Sequence, residues 1–188
     1  VTGLWSPNDD LHTARSEHTA TLLPTGSVLV VGGRDYDNNA FSSAEYTGLF
    51  GWVAAGSLTN ARFGHTATLM PNGMVVVAGG HDGGSSSLES LELFDPGLME
   101  FSDGPDLTET RWQHSATLLP DSSVLFVGGN GTAGTSDRYR YTISSMDPAR
   151  RPTLNEAPLI GLKASNLLSG TNLRGFEMHE ASSGGTNN

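Results

Sequence analysis

Residues 15–33 read RSEHTATLLPTGSVLVVGG, and this stretch returns twice, as RFGHTATLMPNGMVVVAGG at residues 62–80 and as RWQHSATLLPDSSVLFVGG at residues 111–129. The histidines at 18, 65 and 114 are 47 and 49 residues apart, and the paired glycines keep the same intervals. Self-similarity at a fixed period of this size is the signature of a repeat architecture. We therefore interpret the chain as three consecutive copies of one structural unit.

Each copy predicts four β-strands. In the first copy, residues 18–23 predict one strand, and the continuously apolar residues 28–31 predict a second strand that is buried on both faces. Residues 43–46 predict a third strand, and the fourth carries Trp52 or, one repeat later, Phe101. The repeats have no sustained apolar period of 3.6 residues, so we expect an all-β fold.

Residues that recur in register are interpreted as structural. We expect each Arg and each His of the Arg-x-x-His elements to make hydrogen bonds within its own repeat, and each recurring aromatic residue to pack in the core. Arg15 with Glu45, and Arg62 with Glu92, are candidate ion pairs between strands, whereas Tyr141 falls at the Glu position of the third repeat and predicts no pair there. The residues assigned to the structural repeat are Arg15, His18, Gly32, Gly33, Arg62, His65, Gly79, Gly80, Arg111, His114, Gly128, Gly129, Trp5, Trp52 and Phe101.

The three repeated histidines are also a candidate set of metal ligands, because imidazole is the commonest protein ligand for metals. Each histidine occupies the same position in a different repeat, so neighbouring rings are expected to lie a whole repeat unit apart. Zinc requires its nitrogen ligands at about 2.0–2.1 Å from one point. We therefore predict no metal site at these histidines and no cofactor in this chain.

A period near 50, a glycine pair that ends an apolar strand, and a downstream Glu-Tyr and Trp resemble the kelch repeat. The resemblance covers about residues 5–146 and is closest to bacterial kelch proteins with repeats of the type Ala-Arg-x-x-His-Thr-Ala-Thr-Leu-Leu-Pro. It implies that each copy is one blade of a β-propeller similar to the propeller of galactose-oxidase-like proteins. The third copy departs from the pattern, because its turn at residues 120–122 lacks glycine and Met146 stands roughly where the aromatic residue is expected.

The resemblance predicts the organisation of the chain. We expect kelch β-propeller blades in residues 1–146, a linker in residues 147–158, and in residues 159–188 either a tail or the start of an Ig-like β module of the kind that follows the propeller in galactose-oxidase-like proteins. Propellers close with about four to eight blades, so three repeats form an incomplete ring. Further blades of a longer chain, or self-assembly of several subunits, would complete it.

The composition argues against several classes of function. The 188 residues contain 10 Lys and Arg against 20 Asp and Glu, and the net charge of −10 argues against a nucleic-acid partner. The chain has no cysteine, which excludes a thiolate metal site and a cysteine nucleophile within it. Its apolar runs are far shorter than the roughly 20 residues of a membrane-spanning helix, so we expect no membrane insertion.

The loops after the three glycine pairs vary in sequence while the strands repeat. In a propeller these loops emerge on one side, and variable loops on a rigid scaffold are where binding usually occurs. We predict a face that binds a protein or a glycan. Its residues are Arg34, Asp35, Tyr36, Asp37, His81, Asp82 and Asn130.

Three motifs in these loops have separate interpretations. Residues 35–39 read Asp-x-Asp-x-Asn, like the start of an EF-hand loop, but Ala40 and Tyr46 occupy the Gly and Glu positions, so only a calcium site of another kind stays open. The pair at residues 81 and 82 is interpreted as part of a glycine-rich turn, since no serine nucleophile motif accompanies it. The triplet Asn130-Gly-Thr is an N-glycosylation acceptor by pattern.

The leading interpretation is a non-catalytic kelch propeller that recognises a protein or a glycan, secreted or at the cell surface. One alternative is a fragment of a galactose-oxidase-like copper radical oxidase. By resemblance, that chemistry uses a Tyr–Cys cross-link with Tyr and His copper ligands, so in a chain without cysteine the cofactor would lie outside these residues. A second alternative is a structural subunit of an extracellular assembly.

Overall fold

A computed structural model of the protein describes residues 9–131 and 135–141. The predictions made for Trp5, for Met146 and for residues 147–188 lie outside the described residues. The described part contains strands and no helix, which confirms the all-β prediction, and it accordingly includes no helix long and apolar enough to cross a membrane.

The first repeat folds into a four-stranded antiparallel sheet with its strands in chain order. The apolar run of β2 pairs with β1 on one side and β3 on the other, so its backbone groups are paired on both edges. Its side chains beyond the first are buried, as the sequence predicts. The strands are β1 (Thr19–Leu22), β2 (Val28–Val31), β3 (Ser43–Gly48) and β4 (Gly51–Ser57).

The second repeat forms a sheet of the same order, and the third forms a smaller one. In the third, β10, β11 and β13 pair in that order, while β9 pairs with β12 as a separate two-stranded ribbon. The second sheet contains β5 (Thr66–Leu69), β6 (Val75–Ala78), β7 (Leu91–Asp95) and β8 (Glu100–Asp103). The third repeat contains β9 (Arg111–Trp112), β10 (Ser115–Leu118), β11 (Ser123–Val127), β12 (Asn130–Gly131) and β13 (Ser136–Arg140).

Two apolar cores join the three sheets, because the side chains of β6 alternate between them. Val75 and Val77 pack with Leu29 and Val31 of the first sheet. The other residues of β6, with Val76 as an example, pack with the third sheet instead. All four residues of β6 are completely or almost completely buried, so the second sheet is covered on both faces.

The tight turn after the first strand survives in the third repeat without its glycine. Gly26 and Gly73 have φ near +88°, and Ser122 occupies the same place with φ +66°. The turn keeps its hydrogen bonds, since the amide of Ser122 donates to the carbonyl of Leu119 at 3.0 Å. A left-handed non-glycine residue costs about 1–2 kcal/mol, which the paired strands on either side must offset.

The recurring arginines are buried inside their own repeats, as predicted. Arg62 has no exposed side-chain surface; its guanidinium donates to the carbonyls of Gly79 and Ser90 and lies 2.6 Å from Glu92. The carboxylate of Glu92 also accepts the amide of Thr59 at 2.8 Å, so it holds the loop that leads into the repeat. Arg15 and Glu45 form the equivalent ion pair at 2.7 Å, and both predicted pairs are confirmed.

The prediction that the third repeat lacks this ion pair is wrong. Arg111 lies 2.6 Å from Asp137, and the cross-strand partner of Asp137 is Phe126, just as Val77 is the partner of Glu92. The loop after the third glycine pair is four residues shorter than in the other repeats, so counting from the glycines places Tyr141 at the carboxylate position instead of Asp137. An aspartate replaces the glutamate and makes the same contact.

His65 and His114 bond to the preceding repeat and not within their own, contrary to the prediction. The Nε2 atom of His65 lies 2.9 Å from the hydroxyl of Thr19 in the preceding sheet, and that of His114 lies 2.8 Å from the hydroxyl of Thr66. Both rings are buried, and burial lowers the pKa of His65 to about 3 and that of His114 to about 4. His65 and His114 are therefore neutral links between neighbouring sheets.

The two described aromatic residues of the fourth strands differ in their environment. Phe101 packs on the core with its ring centroid 4.9 Å from that of Phe94. Trp52 is partly exposed and lies outside both cores, and its indole N–H donates to the carbonyl of Asp9 at 2.9 Å. Core packing is thus observed for Phe101 and is wrong for Trp52.

Candidate functional site

The two residues between Arg and His in each repeat form a sharp bend at one end of the sheets. The second of them has positive φ in all three repeats: +52° at Glu17, +60° at Gly64 and +53° at Gln113. The bends are hydrogen-bonded to one another, since the amide of Gly64 donates to the carbonyl of Glu17 at 3.1 Å and the amide of Gln113 donates to the carbonyl of Gly64 at 2.7 Å. The three repeats therefore present these positions in one continuous line.

The first residue of each bend pairs with the first residue after the glycine pair. Phe63 pairs with His81 in the second repeat, and Trp112 pairs with Asn130 in the third. Ser16 and the residue after the first glycine pair are bridged in the same way. We call the resulting set the variable row: Ser16, Glu17, Arg34, Phe63, Gly64, His81, Trp112, Gln113 and Asn130.

An aromatic cluster occupies the middle of the variable row. The guanidinium of Arg34 lies 4.7 Å from the centroid of the Phe63 ring, within the range of a cation–π contact. The ring centroids of Phe63 and His81 are 5.3 Å apart. The Trp112 ring stands edge-to-face with both, its centroid 5.3 Å from that of His81 and 6.0 Å from that of Phe63. Phe63 is buried, whereas Arg34, His81 and Trp112 are partly exposed and form the surface.

Polar groups fix the two ends of the variable row. At one end the guanidinium of Arg34 donates to the carboxylate of Glu17 and to the side-chain oxygen of Asn38. At the other end the side-chain amide of Asn130 donates to the side-chain oxygen of Gln113 at 3.0 Å. From one end to the other, the row thus presents an ion pair, an aromatic surface and a pair of side-chain amides.

The ring orientation of His81 is set by its own loop. Its Nδ1 atom accepts the amide of Gly83 at 3.1 Å, so the neutral ring carries its proton on Nε2. Asp82 lies 3.6 Å from the same ring nitrogen. This arrangement leaves a ring N–H of His81 as the donor on the other side of the imidazole.

The remaining predicted binding residues lie in the loops beside the row. Asp35 and Asp82 accept backbone amides of their own loops, Asp35 from Asp37 and Asn39 at 2.9 Å each. The Asn39 side chain lowers the pKa of Asp35, and the backbone amide of Ser86 lowers that of Asp82. Both aspartates therefore stabilise the conformation of their own loops. Tyr36, in the loop between β2 and β3, is fully exposed.

Of the seven predicted binding residues, the structure thus brings three into the variable row: Arg34, His81 and Asn130. Sequence reasoning missed Phe63, Trp112, Glu17 and Gln113, although a signal was present, because the two residues between Arg and His differ in every repeat while their neighbours recur. Within residues 9–131 and 135–141, no three His, Asp or Glu side chains are grouped so that they could hold a metal ion.

Comparison of the chain with models of known protein families gave no match, and neither did comparison with curated protein sequences.

Proposed function

We propose that the three sheets are consecutive blades of a kelch-type β-propeller and that the variable row is a recognition surface for a protein ligand outside the cell or at its surface. The observation that carries this proposal is the clustering of Arg34, His81 and Trp112 on one partly exposed surface that spans all three repeats. Trp and Arg are the residue types most enriched at binding hot spots.

The support for propeller blades is the repeated sheet. Two four-stranded antiparallel sheets with strands in chain order pack on each other, the second of them also packs on the third sheet, and the glycine pairs stand at the same place in each. Short, similar sheets in radial repetition are the architecture of β-propellers. The proposal for localisation rests on the resemblance to bacterial kelch proteins alone.

Recognition without catalysis fits the way in which the side chains of the row are used. The carboxylate of Glu17 is paired with Arg34, and the amides of Gln113 and Asn130 bond to each other. Rigid aromatic rings flanked by pre-organised polar groups bind with little loss of side-chain entropy. A glycan is the second candidate ligand, because the same ring N–H and amide groups can hydrogen-bond sugar hydroxyls.

The test is binding of the purified chain to arrays of secreted proteins and of glycans, followed by titration of any ligand found. Trp112→Ala and His81→Ala should each weaken binding by at least about tenfold, as expected for a hot-spot residue. Phe50→Ala is the matched control, since it removes an aromatic ring that is 98% exposed and lies outside both the row and the loops beside it. Equal binding by the wild type, Trp112→Ala and His81→Ala would refute the assignment of the row.

A further inference from the structure

The joint between the first and second sheets has a definite construction. The amide of Gly33 donates to the carbonyl of Arg62 at 2.9 Å, and His65 reaches the hydroxyl of Thr19. Gly32 lies directly beneath the incoming segment: a Cβ placed on it would be 2.5 Å from the Arg62 carbonyl oxygen and 2.9 Å from the His65 ring. The second repeat therefore places its Arg-x-x-His segment, residues 62–65, against Thr19, Gly32 and Gly33 of the first sheet. We call this three-residue site the socket and the segment that fills it the insert.

The joint between the second and third sheets repeats this construction. The amide of Gly80 donates to the carbonyl of Arg111 at 2.8 Å, and His114 reaches the hydroxyl of Thr66. A Cβ on Gly79 would be 2.4 Å from the Arg111 carbonyl oxygen and 2.9 Å from the His114 ring. Two independent joints therefore define one rule for what fills the socket.

The third sheet carries the same socket, and no described residue fills it. Gly128 and Gly129 have φ of +71° and +96°, close to the values in the two filled sockets, yet a Cβ on Gly128 would meet nothing within 4 Å among the described residues. Ser115 stands at the position of the two threonines and is exposed. Val127, the cross-strand partner of Ser115, is 47% exposed, whereas its equivalent Val31 is completely buried.

The matching insert lies at the other end of the described chain. Arg15 and His18 form the Arg-x-x-His segment of the first repeat, and in the described part neither the Arg15 carbonyl nor the His18 ring bonds to another sheet. His18 is only partly buried, in contrast to His65 and His114. Within residues 9–131 and 135–141, one chain thus presents both a socket that no described residue fills and a matching segment whose Arg15 carbonyl and His18 ring bond to no other described sheet.

We propose that a second copy of this chain docks on the third sheet, with its Arg15–His18 segment in the socket formed by Ser115, Gly128 and Gly129. Such a contact joins two different surfaces of identical chains, so it either closes into a ring or continues as a chain of copies. The described residues of two copies would bring six sheets together, within the range of about four to eight blades in which propellers close. The ring closure rests on the proposed propeller fold; the joint itself does not.

Charge makes this third joint more polar than the two internal ones. Arg138 on β13 is the cross-strand partner of Leu125, at the position that Leu93 occupies in the second sheet. Arg138 and Arg140 are exposed and share the carboxylate of Asp121. Because two copies that each carry a net charge of −10 repel one another, the joint should strengthen as added salt screens that repulsion.

The experiment is sedimentation velocity of the 188-residue chain across a wide concentration range. We expect the mass to rise from one copy to two, or to larger assemblies if the ring stays open. Gly128→Ala should weaken association by at least roughly tenfold, because its methyl group occupies the place of the incoming Arg15 carbonyl. Gly26→Ala is the matched control: φ is +88°, nothing lies within 4 Å, and the residue is far from the socket.

A mixture of two variants separates a blocked joint from a misfolded chain. His18→Ala has a defective insert and an intact socket, and Gly128→Ala has the reverse, so each alone should remain a single copy while the mixture forms pairs through the one intact joint. Circular dichroism checks that both variants fold. A wild-type chain that stays a single copy at every concentration, or a Gly128→Ala variant that associates like the wild type, would overturn the proposal.

Discussion

Glu92→Gln removes the negative charge from the most deeply buried ion pair of the described residues and leaves the side-chain shape nearly unchanged. Arg62 and Glu92 expose 0% and 1% of their side chains and lie 2.6 Å apart. The arginine would keep its hydrogen bonds to the carbonyls of Gly79 and Ser90. Its charge, however, would have no counter-ion in contact with it.

The expected loss of stability follows from the hydrogen bonds that the Glu92 carboxylate accepts in the wild-type chain. Glu92 receives the guanidinium of Arg62, the amide of Thr59 at 2.8 Å and the amide of Asn60 at 3.2 Å. A glutamine offers one acceptor oxygen and turns an NH₂ group toward the remaining donors, so at least one of these groups loses its partner. Breaking a buried pair by removing one charge costs about 3–5 kcal/mol, and we expect a free energy of unfolding lower by that amount.

The assay is urea unfolding followed by tryptophan fluorescence, with the slope compared between variants to verify that the same surface is exposed. Glu89→Gln is the control, because it makes the same chemical change on an exposed side chain three residues away and should cost less than about 0.5 kcal/mol. Glu45→Gln should reproduce the large loss in the first sheet. If Glu92→Gln and Glu89→Gln unfold at the same urea concentration, the stabilising role of the buried pair is refuted.

Three further predictions concern the joints between sheets. Burial lowers the pKa of His65 to about 3 and that of His114 to about 4, so the unfolded chain binds protons before the folded chain as pH falls below 6.5. The free energy of unfolding should therefore drop by up to about 1.4 kcal/mol per pH unit for each histidine, down to the pKa of that histidine in the folded chain. His65→Gln should remove the contribution of His65 to this slope when unfolding is measured across acid pH. Thr66→Val removes the hydroxyl that contacts His114 and should lower the unfolding free energy by about 1 kcal/mol, whereas no change would show that the contact contributes nothing. Gly79→Ala places a Cβ 2.4 Å from a carbonyl oxygen of the next sheet and should strongly lower the melting temperature. Gly26→Ala adds only the strain of positive φ and should lower the melting temperature far less. Equal melting temperatures for the two variants would contradict the close contact between the second and third sheets.

The strands were predictable because their signal is local. The apolar run of β2, the turn before it and the glycine pair after it depend on neighbouring residues alone, and each recurs three times. Asp137 was not predictable by counting, because the loop before it is shorter and register is set by pairing with Phe126 in space. A period measured between histidines cannot reveal where, inside a repeat, residues have been gained or lost.

The candidate site shows a second limit of sequence reasoning. Variable loops led to the prediction of Arg34 and His81, which both lie in the variable row, but the bends that contain Phe63 and Trp112 lie inside the recurring motif and were not predicted as part of a site. Which residues meet across repeats depends on hydrogen bonds between separate sheets, as between Gly64 and its two neighbours in the row. No pattern within one repeat encodes those contacts.

The position of Arg62 has a consequence for the way in which the protein unfolds. Its side chain bonds to the carbonyls of Gly79 and Ser90 in its own sheet, while its backbone carbonyl accepts the amide of Gly33 in the preceding one. One residue therefore belongs to the hydrogen-bond networks of two sheets, and a local opening of either disturbs the other. In arrays whose stability is a sum of unit and nearest-neighbour terms, such strong coupling favours loss of adjacent units as a single cooperative block. Hydrogen exchange at β2 and β6 should accordingly proceed at matching rates under native conditions, as expected for one foldon that spans two sheets.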